Sequence, residues 1–145
     1  MNWKSEAKEK LRKYNMMRVS TSTIPTEIKR LEIDARRIKS VRADGNPVKG
    51  GGNSREEAML TNIIKRQELE YALRNATLWL ESTDRALNAI SEEERLILHM
   101  VFINPMPGAI ERLCKELHCE TSTVYRKRDK ALHNFTIAFY GAIET

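Results

Sequence analysis

Cysteine, proline, glycine and aromatic residues are all scarce in this 145-residue chain, numbering two, four, six and nine. Each shortage excludes something. Cys114 and Cys119 stand five apart, outside the CxxC spacing of zinc and redox sites, and His99, His118 and His133 are scattered. Four well-placed ligands are therefore not in view, and no metal or other cofactor is expected. The two cysteines are read as small apolar residues in a reducing compartment. No apolar run approaches the roughly 20 residues of a membrane-spanning helix. The segment Met1–Arg18 is charged throughout, without the apolar stretch of a secretory signal, so the expected location is the cytoplasm, with no membrane partner. Strand signals are few, since the best β-type run, Met100–Ile103, is short and continues a helical pattern. Three glycines at Gly50–Gly52 follow no strand and precede no Gly-Lys-Ser/Thr, which argues against a phosphate-binding loop. Nor is there a Ser/His/Asp, Cys/His or paired-carboxylate arrangement with supporting context, so no catalytic residue is expected and the chain is not read as an enzyme.

What remains is a chain of helix formers, 41% apolar and 31% charged. A first helix is predicted over about Lys4–Met17, with Ala7, Leu11 and Tyr14 at helical spacing. Ser20–Thr23 reads as a break and Pro25 as the first turn of a second helix reaching Val41. In that second helix Ile24, Ile28, Leu31, Ala35, Ile38 and Val41 form a stripe close to a coiled-coil seam. Residues 43–54 read as a Gly-rich loop. Ser54 with Glu57 makes a capping box that opens a long third helix to about Ala89, packed back on the second as an antiparallel hairpin. Ser91 with Glu94 makes another, and Glu92–Glu94 suit the positive end of a fourth helix. Asn104–Gly108 ends it. A short fifth helix is predicted over Ala109–Leu117 and a sixth from Thr121 to about Tyr140. The fold class is all-α: an N-terminal helical hairpin or coiled coil (1–90, oligomerisation), followed by a helix-turn-helix bundle (91–145).

Charge is unevenly spread. Residues 1–54 hold 13 Lys/Arg against 6 Asp/Glu, residues 55–120 hold 8 against 12, and residues 121–145 hold 4 against 2. Two basic ends flank an acidic middle, with an overall charge of +5. Basic clusters are the footprint of a polyanion binder, though they also serve merely to solvate helix faces.

The stretch Ile110–Leu132 carries the functional signal. Leu113, Cys114 and Leu117 give a short helix one apolar face, His118-Cys119-Glu120 makes a tight turn, and a polar-headed basic helix follows. That is a helix-turn-helix pattern. Burial of Val124, Ala131, Leu132 and Phe135 would turn Ser122, Thr123, Arg126, Lys130 and His133 outward. Hydroxyls at the helix start suit phosphate or base edges, and Arg126 suits guanine or phosphate. Lys127 lies at the edge, within reach of a phosphate. Arg128 falls on the core side, where it either pairs with a glutamate of the fourth helix or touches DNA. Thr121 suits a cap or a phosphate contact. The candidate DNA-binding set is thus Thr121, Ser122, Thr123, Arg126, Lys127 and Lys130; the plain alternative is a basic amphipathic helix in a bundle.

Residues 91–135 resemble the last conserved region of bacterial sigma factors: an acidic-capped helix, a short helix, a turn, and a recognition helix ending in Ala-Leu. More closely, Thr121–Arg128 followed by Lys130-Ala131-Leu132 is similar to the ArpU-like phage transcriptional regulators. The resemblance implies a regulator of phage or prophage late genes in a bacterial host, with double-stranded DNA and host RNA polymerase as partners. His118 stands where many such units have Gly, and Glu120 where many have Ser or Thr, which would leave capping to Thr121. A hairpin too small to bury its own seam further implies a homodimer matched to a two-fold operator. Two other accounts fit a basic helical chain: a small-terminase-like DNA-packaging protein, although those place the DNA-binding unit first, and a polymerase-docking adaptor that does not touch DNA.

Overall fold

The computed structural model describes residues 2–43 and 51–142, and these are helical with no strand among them. Six α-helices follow in order: α1 (Trp3–Arg12), α2 (Tyr14–Ala43), α3 (Gly51–Ala89), α4 (Glu92–Leu98), α5 (Ala109–Leu117) and α6 (Thr121–Tyr140). A π-helical turn, His99–Ile103, prolongs α4.

One expected break is not there. The helix predicted to start at Pro25 begins at Tyr14 instead, and Pro25 lies inside it. A proline in a helix interior costs about 3 kcal/mol because it lacks an N–H and crowds the preceding turn. Hydroxyls around it bond back to the helix: Ser22 Oγ donates to the Val19 carbonyl (3.0 Å) and Thr26 Oγ1 to that of Ser22 (3.2 Å). The Gly-rich loop expected over 43–54 lies mostly outside the described residues. At its margins Ala43 still belongs to α2, while Gly51–Ser54 already belong to α3. Ser54 is therefore an interior residue and not the predicted N-cap. Extending an existing helix gains one backbone hydrogen bond per residue, enough to carry it through poor helix formers.

The chain forms two compact units, Val19–Thr77 and Met1–Arg18 with Leu78–Thr145. In the first unit, α2 and α3 lie side by side. Leu31 and Ala35 are buried on α2, and Asn62 and Ala76 on α3. The buried Asn62 amide donates to the Leu31 carbonyl (2.8 Å) and its oxygen accepts from Arg66 Nε (2.8 Å), so the polar group at the seam is bonded through both its nitrogen and its oxygen.

In the second unit, α1 and the end of α3 pack with α4 and α6. Ala7, Leu11, Ala86, Leu87, Ile90, Leu98, Phe102, Ile103, Ala131, Leu132 and Phe135 make one buried cluster. Polar contacts ring it. Tyr14 donates to Asp84 Oδ1 (2.5 Å); burial and that carboxylate together push its pKa up to about 12. Asn15 Nδ2 donates to the Ile103 carbonyl (3.2 Å), and the Trp3 and Tyr140 rings meet at 4.9 Å. A smaller cluster of Ile97, Met100, Leu113 and Val124 fixes α5 between α4 and the start of α6. Among the described residues, no helix is long and apolar enough to cross a membrane, and no group of His, Cys, Asp or Glu could hold a metal ion.

Candidate nucleic-acid interface

The surface singled out by the sequence is built on α4. Ser91 Oγ accepts from the Glu94 N–H (3.1 Å), and Glu94 Oε1 accepts from the Ser91 N–H (3.3 Å), so the predicted capping box is in place. The other Glu94 oxygen accepts from Asn134 Nδ2 on α6. Partial burial would raise the Glu94 carboxyl, but the bonds from Asn134 and Ser91, with the Lys130 ammonium nearby, hold it below its ordinary value. Glu94 therefore joins the start of α4 to the middle of α6.

Helix α5 begins after Gly108, whose φ of 72° lies in the left-handed region that glycine enters without strain. Leu113 is its buried anchor, with Ile110, Cys114 and Leu117 half-buried around it. The turn to α6 depends on His118, the one described non-glycine residue with positive φ (53°). The Cys119 N–H reaches back to the Cys114 carbonyl (3.2 Å). A left-handed conformation costs a residue with a Cβ roughly 1–2 kcal/mol. His118→Gly is therefore expected to stabilise the protein by about 1 kcal/mol, against a small entropic loss, raising Tm by about 2–4 °C for a chain of this size. A thermal melt checks this; an unchanged or lower Tm would mean that the exposed imidazole compensates for the backbone.

The capping expected of Thr121 is not seen. Glu120 is the N-cap of α6, with extended backbone and no side-chain hydrogen bond. Thr121 Oγ1 instead lies 3.7 Å from Cys114 Sγ, tying the helix start to α5.

Along α6, Val124, Ala131, Leu132 and Phe135 are buried as predicted, and Thr136 joins them, its hydroxyl donating to the Leu132 carbonyl (2.7 Å). Of the six candidate residues, Thr121, Ser122, Arg126 and Lys130 are exposed, while Thr123 and Lys127 are half-buried. Arg126 Nη2 donates to Thr123 Oγ1 (3.4 Å), which links the two side chains one turn apart. Lys127 is held by Glu93 of α4 in an ion pair whose carboxylate raises the lysine pKa. It is thus Lys127, and not Arg128, that pairs with a glutamate of the fourth helix. Arg128 instead stacks over Tyr125 (4.8 Å) and pairs with Asp129 (3.1 Å). Tyr125, 41% exposed, is a surface residue that sequence reasoning passed over. The Tyr125–Arg128 spacing of three, one helical turn, was the available signal. The result is an edge of hydroxyls and cations on the first turns of a helix whose opposite edge is fixed by core packing.

The profile of one protein family, described as a protein of unknown function (DUF1492), matches residues 37–136, and the chain belongs to that family. No curated protein and no solved structure matches the chain.

Proposed function

We propose that this member of the DUF1492 family is a sequence-specific DNA-binding transcriptional regulator, acting on phage or prophage genes, whose α5 and α6 form a helix-turn-helix. The observation that carries the reading is the two-sided character of α6. Ser122, Arg126 and Lys130 lie exposed at four-residue steps, opposite a buried row from Val124 to Phe135. A helix so held presents its N-terminal turns at a fixed height, as major-groove readout requires. In this reading Arg126 and Thr123 act on one base step. Ser122 and Thr121 contact phosphate at the helix start, aided by the free N–H groups there. Lys127 exchanges the Glu93 carboxylate for a phosphate as DNA docks, and Lys130 completes the backbone contacts. The paired helices α2 and α3 serve as a helical hairpin for self-association, giving a homodimer that matches a two-fold site. The link to late genes and to host RNA polymerase rests on the sigma-like and ArpU-like resemblance of residues 91–135.

The test is fluorescence anisotropy of the pure protein with duplex DNA from around its own gene, titrated against unrelated duplex over a range of salt. The expected result is binding to one duplex that survives a large excess of competitor and weakens log-linearly with salt, by close to one power per phosphate contact. Equal affinity for all duplexes overturns sequence-specific regulation and favours DNA packaging. No binding at low salt overturns DNA recognition and leaves the adaptor.

A further inference from the structure

Helix α3 uses one edge to meet α2 and leaves another bare. Leu60, Ile64 and Tyr71 are 58%, 45% and 63% exposed. They belong to the series Glu57, Leu60, Ile64, Gln67, Tyr71, Arg74, in which steps of three and four alternate. That alternation is the spacing of a coiled-coil seam, and it lies across the helix from Asn62, Leu69, Leu73 and Ala76, the edge that holds the Asn62–Leu31 bond. A seam of this period fits another helix, and the charges say which one. Its apolar centre has a glutamate near one end and an arginine near the other, so the series is complementary to itself when reversed.

We propose that two copies of the chain meet here, α3 against α3, antiparallel about a two-fold axis between Lys65 and Arg66. This register sets Glu57 opposite the partner's Arg74, Leu60 opposite the partner's Tyr71, and Ile64 opposite the partner's Gln67. The axis repeats each pair. A parallel pairing would oppose glutamate to glutamate and arginine to arginine. An antiparallel shift of one heptad toward the C-terminal end of α3 would oppose Glu57 to the partner's Glu81 and Ile64 to the partner's Arg74. It would also bring Glu68 against the partner's Glu70. Like charges facing across such a seam select against both. The assignment rests on the dimeric reading above and gives it a surface.

The experiment is sedimentation equilibrium of the full chain without DNA, so the result is independent of how α6 acts. The wild type is expected at twice the 16.8 kDa chain mass. Arg74→Glu is expected to raise the dimer dissociation constant by about tenfold or more, on the order of a 1.4 kcal/mol change. Adding Glu57→Arg to it is expected to restore dimerisation, since the swapped pair is complementary again. Ile64→Glu is expected to give monomer with an unchanged circular dichroism spectrum. A monomeric wild type overturns the proposal together with the dimeric reading. A dimer that ignores Arg74→Glu, or an Arg74→Glu defect that Glu57→Arg does not rescue, overturns this interface and leaves a dimer through another face.

Discussion

Replacing Arg126 and Lys130 together by alanine is expected to lower affinity for the cognate duplex about 100-fold or more while leaving the fold intact. The magnitude comes from adding two unlike contributions. A well-placed arginine on a base edge is worth about 1–3 kcal/mol of discrimination. A lysine on a phosphate adds a salt-dependent contribution whose loss cuts the salt slope by close to one. The variant should therefore lose both specificity and part of its salt dependence. Stability should hardly change, because both side chains are exposed and surface changes stay within about 0.5 kcal/mol. The single variants separate the roles: Arg126→Ala should relax sequence preference, whereas Lys130→Ala should weaken all duplexes alike. Lys127→Ala is the informative contrast. Its ammonium already has a partner in Glu93, so its removal costs less binding than a free cation would. Full binding by the double variant, with an unchanged melt, would move the contact surface off α6.

The elements legible in the sequence are those whose ends are decided by chemistry within one turn. Ser91 and Glu94 announce α4 because their side chains and N–H groups satisfy each other locally. Gly108 and the His118–Glu120 turn delimit α5 for the same kind of reason, and the buried row of α6 follows from periodicity. Where the sequence misleads, distant contacts decide. Ser20–Thr23 and Pro25 are sound break signals, yet α2 runs through them. Leu31 and Asn62, 31 residues apart, hold its later turns, and Tyr14 with Asp84, 70 apart, holds its start. The grouping of α1 with the C-terminal helices is equally invisible, since Glu6 and Tyr140 stand 134 residues apart. In the candidate interface the same distinction applies. Which α6 residues face outward follows from 100° steps, but the capture of Lys127 by Glu93 and the seat of Thr121 against Cys114 depend on how α4 and α5 are placed. The second seam of α3 is present in the sequence as spacing alone. Only the exposure of Leu60, Ile64 and Tyr71 distinguishes it from the buried one.

Phe135→Ala is expected to destabilise the chain by about 3–5 kcal/mol, the range for removing a fully buried aromatic ring. Phe135 is fully buried and stands in one cluster with Leu11 of α1, Leu87 of α3 and Leu98 of α4; its ring also meets Phe139 at 5.9 Å. Native stabilities are of the order of 5–15 kcal/mol, so the loss is a third or more of the total in most of that range. Its effect should reach α1 first. A ten-residue helix is too short to persist alone in water, and Ala7 and Leu11, its buried residues, belong to this cluster. Trp3, against Tyr140, reports the detachment. Urea unfolding followed by tryptophan emission should show a lower midpoint, with the emission changing before the helical circular dichroism. Because the exposed edge of α6 is held from behind by this same row, the proposed DNA binding should also be weaker in this variant near its lowered midpoint, and normal when it is cooled well below it. That temperature dependence separates it from Arg126→Ala with Lys130→Ala, whose defect is the same at every temperature at which the chain is folded. A loss under about 1 kcal/mol would mean that the cluster collapses around the missing ring and that α1 is held by its polar contacts.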